Sequence, residues 1–254
     1  MGSKVILVTG ASRGIGLAIT NYLLAASHKV FLVSRSQKEL EGIKTKFPSQ
    51  VDFLAADLSD LNVASQATAQ AMKAFGRIDA LIVNHAILQP MKRISQGTIE
   101  DWKKLYDVNF FSALALVQST LPHLRETQGH IVFTSSGAAV NAYASWAAYG
   151  SSKAALNSLA QHIAAEEPRV TAIAVGPGRV DTEMQREIRE QGAPGSSMTE
   201  ADHANFVAAF EDGKLNKPEW PGHVIAKLSL ATKPEVNGKY LSWNSPDLAA
   251  YRDE

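Results

Sequence analysis

The stretch that decides the fold is Val5-Ile6-Leu7-Val8-Thr9-Gly10-Ala11-Ser12-Arg13-Gly14-Ile15-Gly16. Its first five residues are apolar or β-branched, which predicts a buried strand. Three glycines follow, and glycine permits positive φ and lets a ligand approach the backbone closely. A helix that begins in such a turn presents free N–H groups and the positive end of its dipole to an anion. The stretch therefore predicts a diphosphate-binding turn, although its G-x-x-x-G-x-G spacing also suits a turn that only packs helix on strand.

The rest of the chain alternates short apolar runs with longer helical patterns. Strands are predicted at Val5–Thr9, Val30–Ser34, Val51–Ala55, Ala80–Asn84, His130–Ser135, Val170–Val175 and Tyr240–Trp243. Helices are predicted near Ile15–Ser27, Gln37–Phe47, Val63–Phe75, Ile99–Glu126, Tyr149–Glu166 and Gly222–Leu230. Strands that are apolar along nearly their whole length indicate a parallel sheet covered on both faces. The sequence predicts an α/β fold, a Rossmann-like doubly wound three-layer sandwich with a seven-stranded parallel sheet, in a single domain over residues 1–254.

The composition excludes several classes of protein. The 254 residues are 45% hydrophobic and 20% charged with a formal net charge of zero, so no basic surface for nucleic acid or a membrane is expected. The absence of cysteine excludes disulfides and thiolate chemistry. No two of the seven histidines have a metal-ligand spacing, so no metal is expected. No apolar run resembles a signal peptide or a membrane span, which predicts a cytoplasmic protein.

One segment, residues 185–217, interrupts the alternation of strands and helices. It has no predicted strand, and Gly192-Ala193-Pro194-Gly195-Ser196-Ser197 lies near its centre. Short helices on either side of a flexible centre are typical of a lid over a binding site. The alternative is a surface insertion without a role.

The end of the second strand bears on the choice of cofactor. It reads Val33-Ser34-Arg35-Ser36, where an NAD-binding fold usually has an acid for the ribose 2′-hydroxyl, and the nearest acid is Glu39. Arg35 stands there instead, and Arg13 lies in the glycine turn. Two guanidinium groups suit a 2′-phosphate, which they bind through paired hydrogen bonds. The sequence therefore favours NADP(H) over NAD(H), with two solvated surface arginines as the alternative.

The candidate proton donor is Tyr149, because Lys153 follows it at the i+4 position on the same face of a helix. A free tyrosine has a pKa of about 10, and an ammonium group about 4 Å away is expected to lower that pKa to about 7. Tyr149 would then exchange protons at neutral pH. A hydroxyl at the end of the fifth strand, from Ser136 or its neighbour Ser135, is suited to hold a carbonyl oxygen.

Together these motifs resemble those of the short-chain dehydrogenase/reductase family over nearly the whole chain. The residues that match the family's catalytic tetrad are Asn109, Ser136, Tyr149 and Lys153, and the S-x12-Y-x3-K spacing selects Ser136 over Ser135. The resemblance implies Asp57 at the adenine and residues 177–182 at the nicotinamide. The cofactor-binding residues expected in total are Gly10, Ser12, Arg13, Gly14, Ile15, Gly16, Ser34, Arg35, Asp57, Leu58, Asn84, Tyr149, Lys153, Pro177, Gly178, Val180 and Thr182.

The resemblance also implies a mechanism. Tyr149 protonates the carbonyl oxygen as NADPH delivers hydride, Lys153 binds the nicotinamide ribose and lowers the pKa of Tyr149, and Ser136 orients the substrate. Asn109 is implied to kink its helix and to help hold a water that relays protons. The apolar residues around it, Val108–Phe111, suit burial by a partner subunit, so a homodimer or homotetramer is expected.

The substrate is predicted less sharply. Within the family the sequence resembles, more weakly than it resembles the family itself, fungal members similar to benzil reductase and, more distantly, sepiapterin reductase, which reduce diketones or bulky ketones. The residues expected at the substrate are Ser136, Tyr143, Trp146 and Met184. The two aromatic residues suit either an aromatic-lined site or ordinary packing. The reaction expected is reduction of a ketone, diketone or aldehyde, or oxidation of the matching alcohol.

One motif departs from the family. After the fourth strand the family reads N-N-A-G, whereas this chain has Asn84-His85-Ala86-Ile87. Ile87 does not readily adopt positive φ, so its backbone is expected in an ordinary region. His85 is interpreted as a histidine at the edge of the core whose hydrogen bonds are satisfied, with cofactor contact as the alternative.

Two alternative functions stay open: a regulatory protein that binds NADPH without turnover, and an epimerase or dehydratase.

Overall fold

The structure, a computed structural model, describes residues 2–192 and 197–253. The strands in these residues are β1 (Val5–Thr9), β2 (Lys29–Ser34), β3 (Val51–Ala55), β4 (Ala80–Val83), β5 (His130–Thr134), β6 (Thr171–Gly176) and β7 (Tyr240–Ser242). The α-helices are α1 (Gly14–Ala25), α2 (Gln37–Lys46), α3 (Asn62–Phe75), α4 (Ile99–Tyr106), α5 (Ser112–Thr127), α6 (Ala147–Glu166), α7 (Glu183–Gln191), α8 (Glu200–Glu211) and α9 (Glu219–Leu230). Every predicted strand forms, within one residue of its predicted ends. Among the helices of this described part, none has the length and apolar character needed to cross a bilayer.

The strands form one parallel sheet in the order β3-β2-β1-β4-β5-β6-β7, which confirms the predicted fold class. In register, Leu7 of β1 lies between Phe31 of β2 and Leu81 of β4. The chain runs outward from β1 on one side and then returns to build the other side from β4. Such a reversal leaves a crevice beyond the carboxyl ends of the two central strands, where nucleotides bind in this architecture. The glycine turn lies at this crevice.

Helices cover both faces of the sheet. On one face Leu7 packs in a core with residues of α3, α5 and α6, and on the other face Ile6 packs in a core with residues of α1, α2 and α9. All five residues of β1 are buried as a result. This explains why the strands are continuously apolar rather than alternating.

The helix predicted over Ile99–Glu126 is correct in extent but not continuous. It consists of α4, a π-helical turn at Asp107–Phe111, and α5. A π-helical turn bonds residue i to residue i+5, and such turns are frequent at functional sites. The apolar pattern of the sequence predicts a helix here but does not distinguish α from π geometry, because apolar residues continue through the turn.

The segment predicted as a lid, residues 185–217, contains most of α7 and all of α8, and its centre at 193–196 lies outside the described residues. Its far end is attached to the chain that follows β6, because Val180 pairs with Asn216 in a single parallel bridge. The two helices of this segment, α7 and α8, are also joined, since Nε2 of Gln185 donates to the carbonyl of Phe206 at 3.2 Å. Whether the segment opens and closes stays a prediction.

Candidate active site

The glycine turn joins β1 to α1 and is bonded to the end of β4. Gly10 has a φ of 63° and Gly14 a φ of 53°, which is the left-handed region that glycine favours. A Cβ on Gly16 would lie 2.0 Å from the carbonyl oxygen of Gly10. The amide of Asn84 donates to that same carbonyl at 3.2 Å, and the Asn84 N–H donates to the Thr9 hydroxyl at 3.0 Å. The turn is therefore held tightly against the neighbouring strand.

A cleft of about 760 Å³ opens at this crevice. The predicted cofactor residues that line it are Gly10, Ser12, Arg13, Gly14, Ile15, Ser34, Arg35, Asp57, Leu58, Asn84, Tyr149, Lys153, Pro177 and Thr182. Three others are placed differently: Gly16 packs behind the turn, while Gly178 and Val180 line a second cavity. The approach of Gly16 to the Gly10 carbonyl leaves no room for a side chain, so Gly16 acts through packing. The lining suits a dinucleotide, because glycine-turn backbone and cationic side chains share one surface.

Charged side chains lie at the end of the cleft formed by the glycine turn and the end of β2. Arg13 and Arg35 are exposed, line the cleft, and form none of the ion pairs found in the described part of the chain. Asp57 lies near them, and a hydrogen bond from the Ser59 N–H, with a smaller effect of the Arg35 charge, lowers the pKa of Asp57. Two free guanidinium groups are thus available for an anionic ligand.

Tyr149 and Lys153 lie on the first turns of α6, and both are buried. The Lys153 Nζ lies 5.9 Å from the centroid of the Tyr149 ring and donates to the Thr134 carbonyl at 2.8 Å. The side chain of Ser136 lies beside the Tyr149 hydroxyl, close enough to lower the pKa of Tyr149 against the effect of burial. The structure therefore brings three of the four predicted catalytic residues together at the carboxyl end of β5.

The choice between the two serines has a structural reason. The Ser135 hydroxyl donates to Oδ1 of Asn157 at 2.6 Å and is buried with it. Ser136 instead begins a short 3₁₀ turn, accepts at its hydroxyl from the Ala138 N–H at 3.1 Å, and contacts Tyr149. Ser136, rather than Ser135, is therefore the hydroxyl beside the proton donor.

The prediction that Lys153 lowers the pKa of Tyr149 is wrong. Burial raises the pKa of Tyr149, and the nearby side chain of Ser136 offsets only part of this. Burial also lowers the pKa of Lys153 to about 7. The prediction assumed a fully charged ammonium beside the phenol, whereas removal from water disfavours the charged form of both groups. Tyr149 consequently keeps its proton at neutral pH.

Asn109 lies in the π-helical turn with its side chain fully buried, and it lines neither cavity. Its Oδ1 accepts from the Ile87 N–H at 2.9 Å, while its Nδ2 donates to the Ile87 carbonyl at 2.9 Å and to the Ser152 hydroxyl at 3.2 Å. Ile87 is not among the residues with positive φ, as its branched side chain predicts. Asn109 therefore clamps the loop after β4 to α6, and its predicted role toward a water stays a prediction.

His85, at the floor of the cleft, has partners on both ring nitrogens. Nδ1 lies 2.7 Å from the Thr9 hydroxyl, and Nε2 lies 3.0 Å from the Val108 carbonyl and 2.7 Å from the Ser112 hydroxyl. A carbonyl can only accept, so Nε2 carries the proton and Nδ1 accepts from Thr9. Burial lowers the pKa of His85 to about 3, which keeps the ring neutral. His85 thus links the end of β1 to the π-helical turn.

A second cavity, of about 280 Å³, adjoins the cleft, and Tyr149 lines both. All four predicted substrate residues line it, namely Ser136, Tyr143, Trp146 and Met184. The ring of Trp146 stands at 84° to that of Tyr149, with 5.9 Å between centroids, and 5.0 Å from that of Tyr143. These aromatic residues pack on one another and also form the cavity wall, and their contact with substrate stays a prediction.

Residues after β6 that the sequence did not single out complete the second cavity. Phe206 of α8 lies 5.3 Å from the Trp146 ring, and the guanidinium of Arg179 lies 5.2 Å from the Phe206 centroid. Ile188 and Gln185 of α7 line the cavity as well. The sequence shows apolar residues on α7 and α8, which indicate that one face of each helix is buried. It does not show which cavity that face lines, because this depends on packing between distant segments.

Comparison with known proteins gives the same family as the motifs. The sequence model described as short chain dehydrogenase matches residues 4–193. The chain is 44% identical to an uncharacterized oxidoreductase of Saccharomyces cerevisiae, with 98% of each protein covered. It is 38% identical to a benzil reductase ((S)-benzoin forming) of the same yeast, covering 96% of this chain and 97% of that one. A crystal structure of a yeast short-chain dehydrogenase/reductase, 42% identical, aligns with a TM-score of 0.96 over 99% of this chain and 100% of that chain.

Proposed function

From the premise that the chain belongs to the short-chain dehydrogenase family, we propose that it is an NADPH-dependent reductase of aromatic ketones and diketones, with Tyr149 as proton donor. The chain is an oxidoreductase of that family, which uses a nicotinamide cofactor and acts on small molecules. The same site would reduce an aldehyde or oxidise the matching alcohol when the concentrations favour it. The observation that carries the proposal is the position of Tyr149 between the two cavities.

The protonation of Tyr149 supports the reductive direction. Burial raises the pKa of Tyr149, so the phenol has a proton to give to a carbonyl oxygen in the second cavity. Ser136 lies beside that hydroxyl and can donate to the same oxygen, which stabilises the negative charge that develops there. The bound cofactor supplies the hydride. Lys153, with a pKa of about 7, can return a proton to Tyr149 or hold a ribose hydroxyl.

The free guanidinium groups of Arg13 and Arg35 support NADP(H) as the cofactor. Both line the cleft beside the end of β2, where an acid would favour NAD(H). Burying a 2′-phosphate against two cations gives charge-assisted hydrogen bonds that the 2′-hydroxyl of NAD(H) cannot match.

The lining of the second cavity supports an aromatic substrate. Its wall contains Tyr143, Trp146, Tyr149 and Phe206, and rings of this kind bind flat apolar groups through offset and edge-to-face contacts. A relative that shares 38% of its residues is a benzil reductase, and benzil is an aromatic diketone. The lid role of residues 185–217, a cytoplasmic location and a homodimer or homotetramer remain predictions from the sequence.

The proposal is tested by following NADPH consumption against a panel of aromatic α-diketones, quinones, pterins and simple ketones. We expect the highest kcat/KM with an aromatic α-diketone, and NADH to be much poorer than NADPH. The Tyr149→Phe variant serves as the blank for slow uncatalysed reduction. Binding of NADPH without oxidation of it by any member of the panel would instead favour a regulatory protein, and conversion without net NADPH change an epimerase or dehydratase.

A further inference from the structure

Tyr240, the first residue of β7, reaches the catalytic serine from the far edge of the sheet. Its hydroxyl donates to the backbone carbonyl of Ser136 at 3.2 Å, across 104 residues of sequence. Tyr240 lines neither the cleft nor the second cavity, so it does not contact cofactor or substrate there. The bond therefore acts on the position of Ser136 rather than on the reacting groups.

Gly176, the last residue of β6, makes this contact sterically feasible. A Cβ on Gly176 would lie 2.5 Å from the Tyr240 hydroxyl oxygen and 3.2 Å from two of its ring carbons. The first distance is far below a van der Waals contact, whereas the second is only tight. The phenol of Tyr240 thus occupies the space that a side chain at position 176 would fill.

Ser136 depends on a small number of restraints. Its carbonyl also accepts from the Ala139 N–H at 3.1 Å, and its hydroxyl accepts from the Ala138 N–H at 3.1 Å. These two bonds come from the partly buried 3₁₀ turn that follows Ser136, while Tyr240 is the restraint from the sheet. Since Ser136 must hold its hydroxyl beside that of Tyr149, a small rotation of its backbone changes the distance between them.

We propose that Tyr240 is a positioning residue for the reaction, which fixes the carbonyl of Ser136 and through it the hydroxyl that orients the substrate, and that Gly176 is glycine so that Tyr240 can do so. This inference rests on the proposed function only in taking Ser136 as the hydroxyl that contacts the carbonyl. Burial, together with the nearby Tyr143, raises the pKa of Tyr240, so the phenol remains a donor at neutral pH.

The first test is a double-mutant cycle between Tyr240→Phe and Ser136→Ala, measured with NADPH and an aromatic diketone. We expect Tyr240→Phe to lower kcat about fivefold, which is about 1 kcal/mol, with KM for the diketone and the Kd for NADPH changed less than about twofold. In the Ser136→Ala background the same substitution should leave the residual kcat unchanged, because the residue it positions has lost its hydroxyl.

The second test uses Gly176. Gly176→Ala should lower kcat by at least as much as Tyr240→Phe, because its methyl group displaces the phenol. Adding Tyr240→Phe to Gly176→Ala should bring kcat up to that of Tyr240→Phe alone, since removal of the hydroxyl removes the 2.5 Å contact. Failure of this rescue would show that Gly176→Ala does not act through the phenol of Tyr240.

The matched control is Tyr251→Phe, which also removes one bond between a phenol and the backbone, the 2.9 Å contact with the Lys233 N–H, far from the site. Its kcat should equal that of the unmodified enzyme. An unchanged kcat in Tyr240→Phe, or an equal fivefold loss in the Ser136→Ala background, would overturn the positioning role. Full activity of Ser136→Ala itself would overturn the proposed use of Ser136 instead, so the two failures are distinguishable.

Discussion

The cleft and the second cavity share Tyr149 but are built in different ways. The cleft follows from backbone turns at the carboxyl ends of β1, β2 and β4, each encoded within a few consecutive residues. The second cavity is assembled from side chains of α6, α7 and α8 and the loops between them, which meet only through tertiary packing. The cleft has several charged side chains in its lining beside aliphatic ones, whereas the cavity is lined mainly by aromatic and aliphatic side chains. Changes in one region should therefore alter cofactor binding and changes in the other substrate binding.

The largest effect is expected at Tyr149, which lines both regions. Tyr149→Phe removes the proton donor without changing the shape of either cavity, and general acid catalysis is commonly worth 10²–10⁴ in rate. We expect kcat to fall about 10³-fold while the Kd for NADPH, measured by the fluorescence of the bound cofactor, stays within about threefold. Retention of more than about a tenth of kcat would contradict the role of Tyr149.

The second-largest effect is expected from substitutions confined to the cleft. Replacing both Arg13 and Arg35 by glutamine removes the cations proposed to bind the 2′-phosphate, and should lower kcat/KM for NADPH about a hundredfold, as expected for two charge-assisted contacts. The value for NADH should stay nearly constant, and so should KM for the carbonyl substrate. Arg169→Gln, at an exposed arginine away from the cleft, is the control. Equal losses with both cofactors would argue against a phosphate site.

A pH titration probes the floor of the cleft. Because the pKa of His85 is lowered from 6.5 to about 3, its neutral form stabilises the fold above pH 6.5, and this contribution is lost as the pH falls toward 3. Urea unfolding should show about 1–2 kcal/mol less stability from this residue at pH 5 than at pH 7. His85→Asn should flatten that dependence, whereas His162→Gln, at an exposed histidine, should not. An equal slope in both variants would show that His85 titrates as if exposed.

The smallest effect is expected from a substitution confined to the second cavity. Phe206→Ala removes a ring that contacts Trp146 and Tyr143, and should raise KM for an aromatic diketone about tenfold, about 1.4 kcal/mol, with the Kd for NADPH unchanged. Phe210→Ala, on the same helix but with its side chain exposed, is the matched control. If the two variants behave alike, α8 affects the reaction through its stability and not through contact with substrate.

The difference between the cleft and the second cavity also explains how much of the site could be predicted from the sequence. The strands and the glycine turn follow from short-range patterns, so their ends are predicted to within a residue, and the cofactor residues largely line the cleft. Phe206 and Tyr240 could not be found this way, because each matters only through a partner more than fifty residues distant. The protonation of Tyr149 was predicted with the wrong sign, since a sequence gives the spacing of Tyr149 and Lys153 but not their burial.

The parallel sheet also has a consequence for the order in which the protein acquires activity. Its strands pair with strands that are distant in the sequence. Val5 of β1 pairs with β2, and the following residues of β1 also pair with β4. Such contacts close large loops before any pairing energy is gained, so folding is slow compared with that of helical proteins. A nascent chain synthesised only as far as α9 already contains the glycine turn and Tyr149 but not β7. During synthesis, the residues that line the cleft are therefore available before the strand that carries Tyr240, which is made later and pairs at the edge of the sheet.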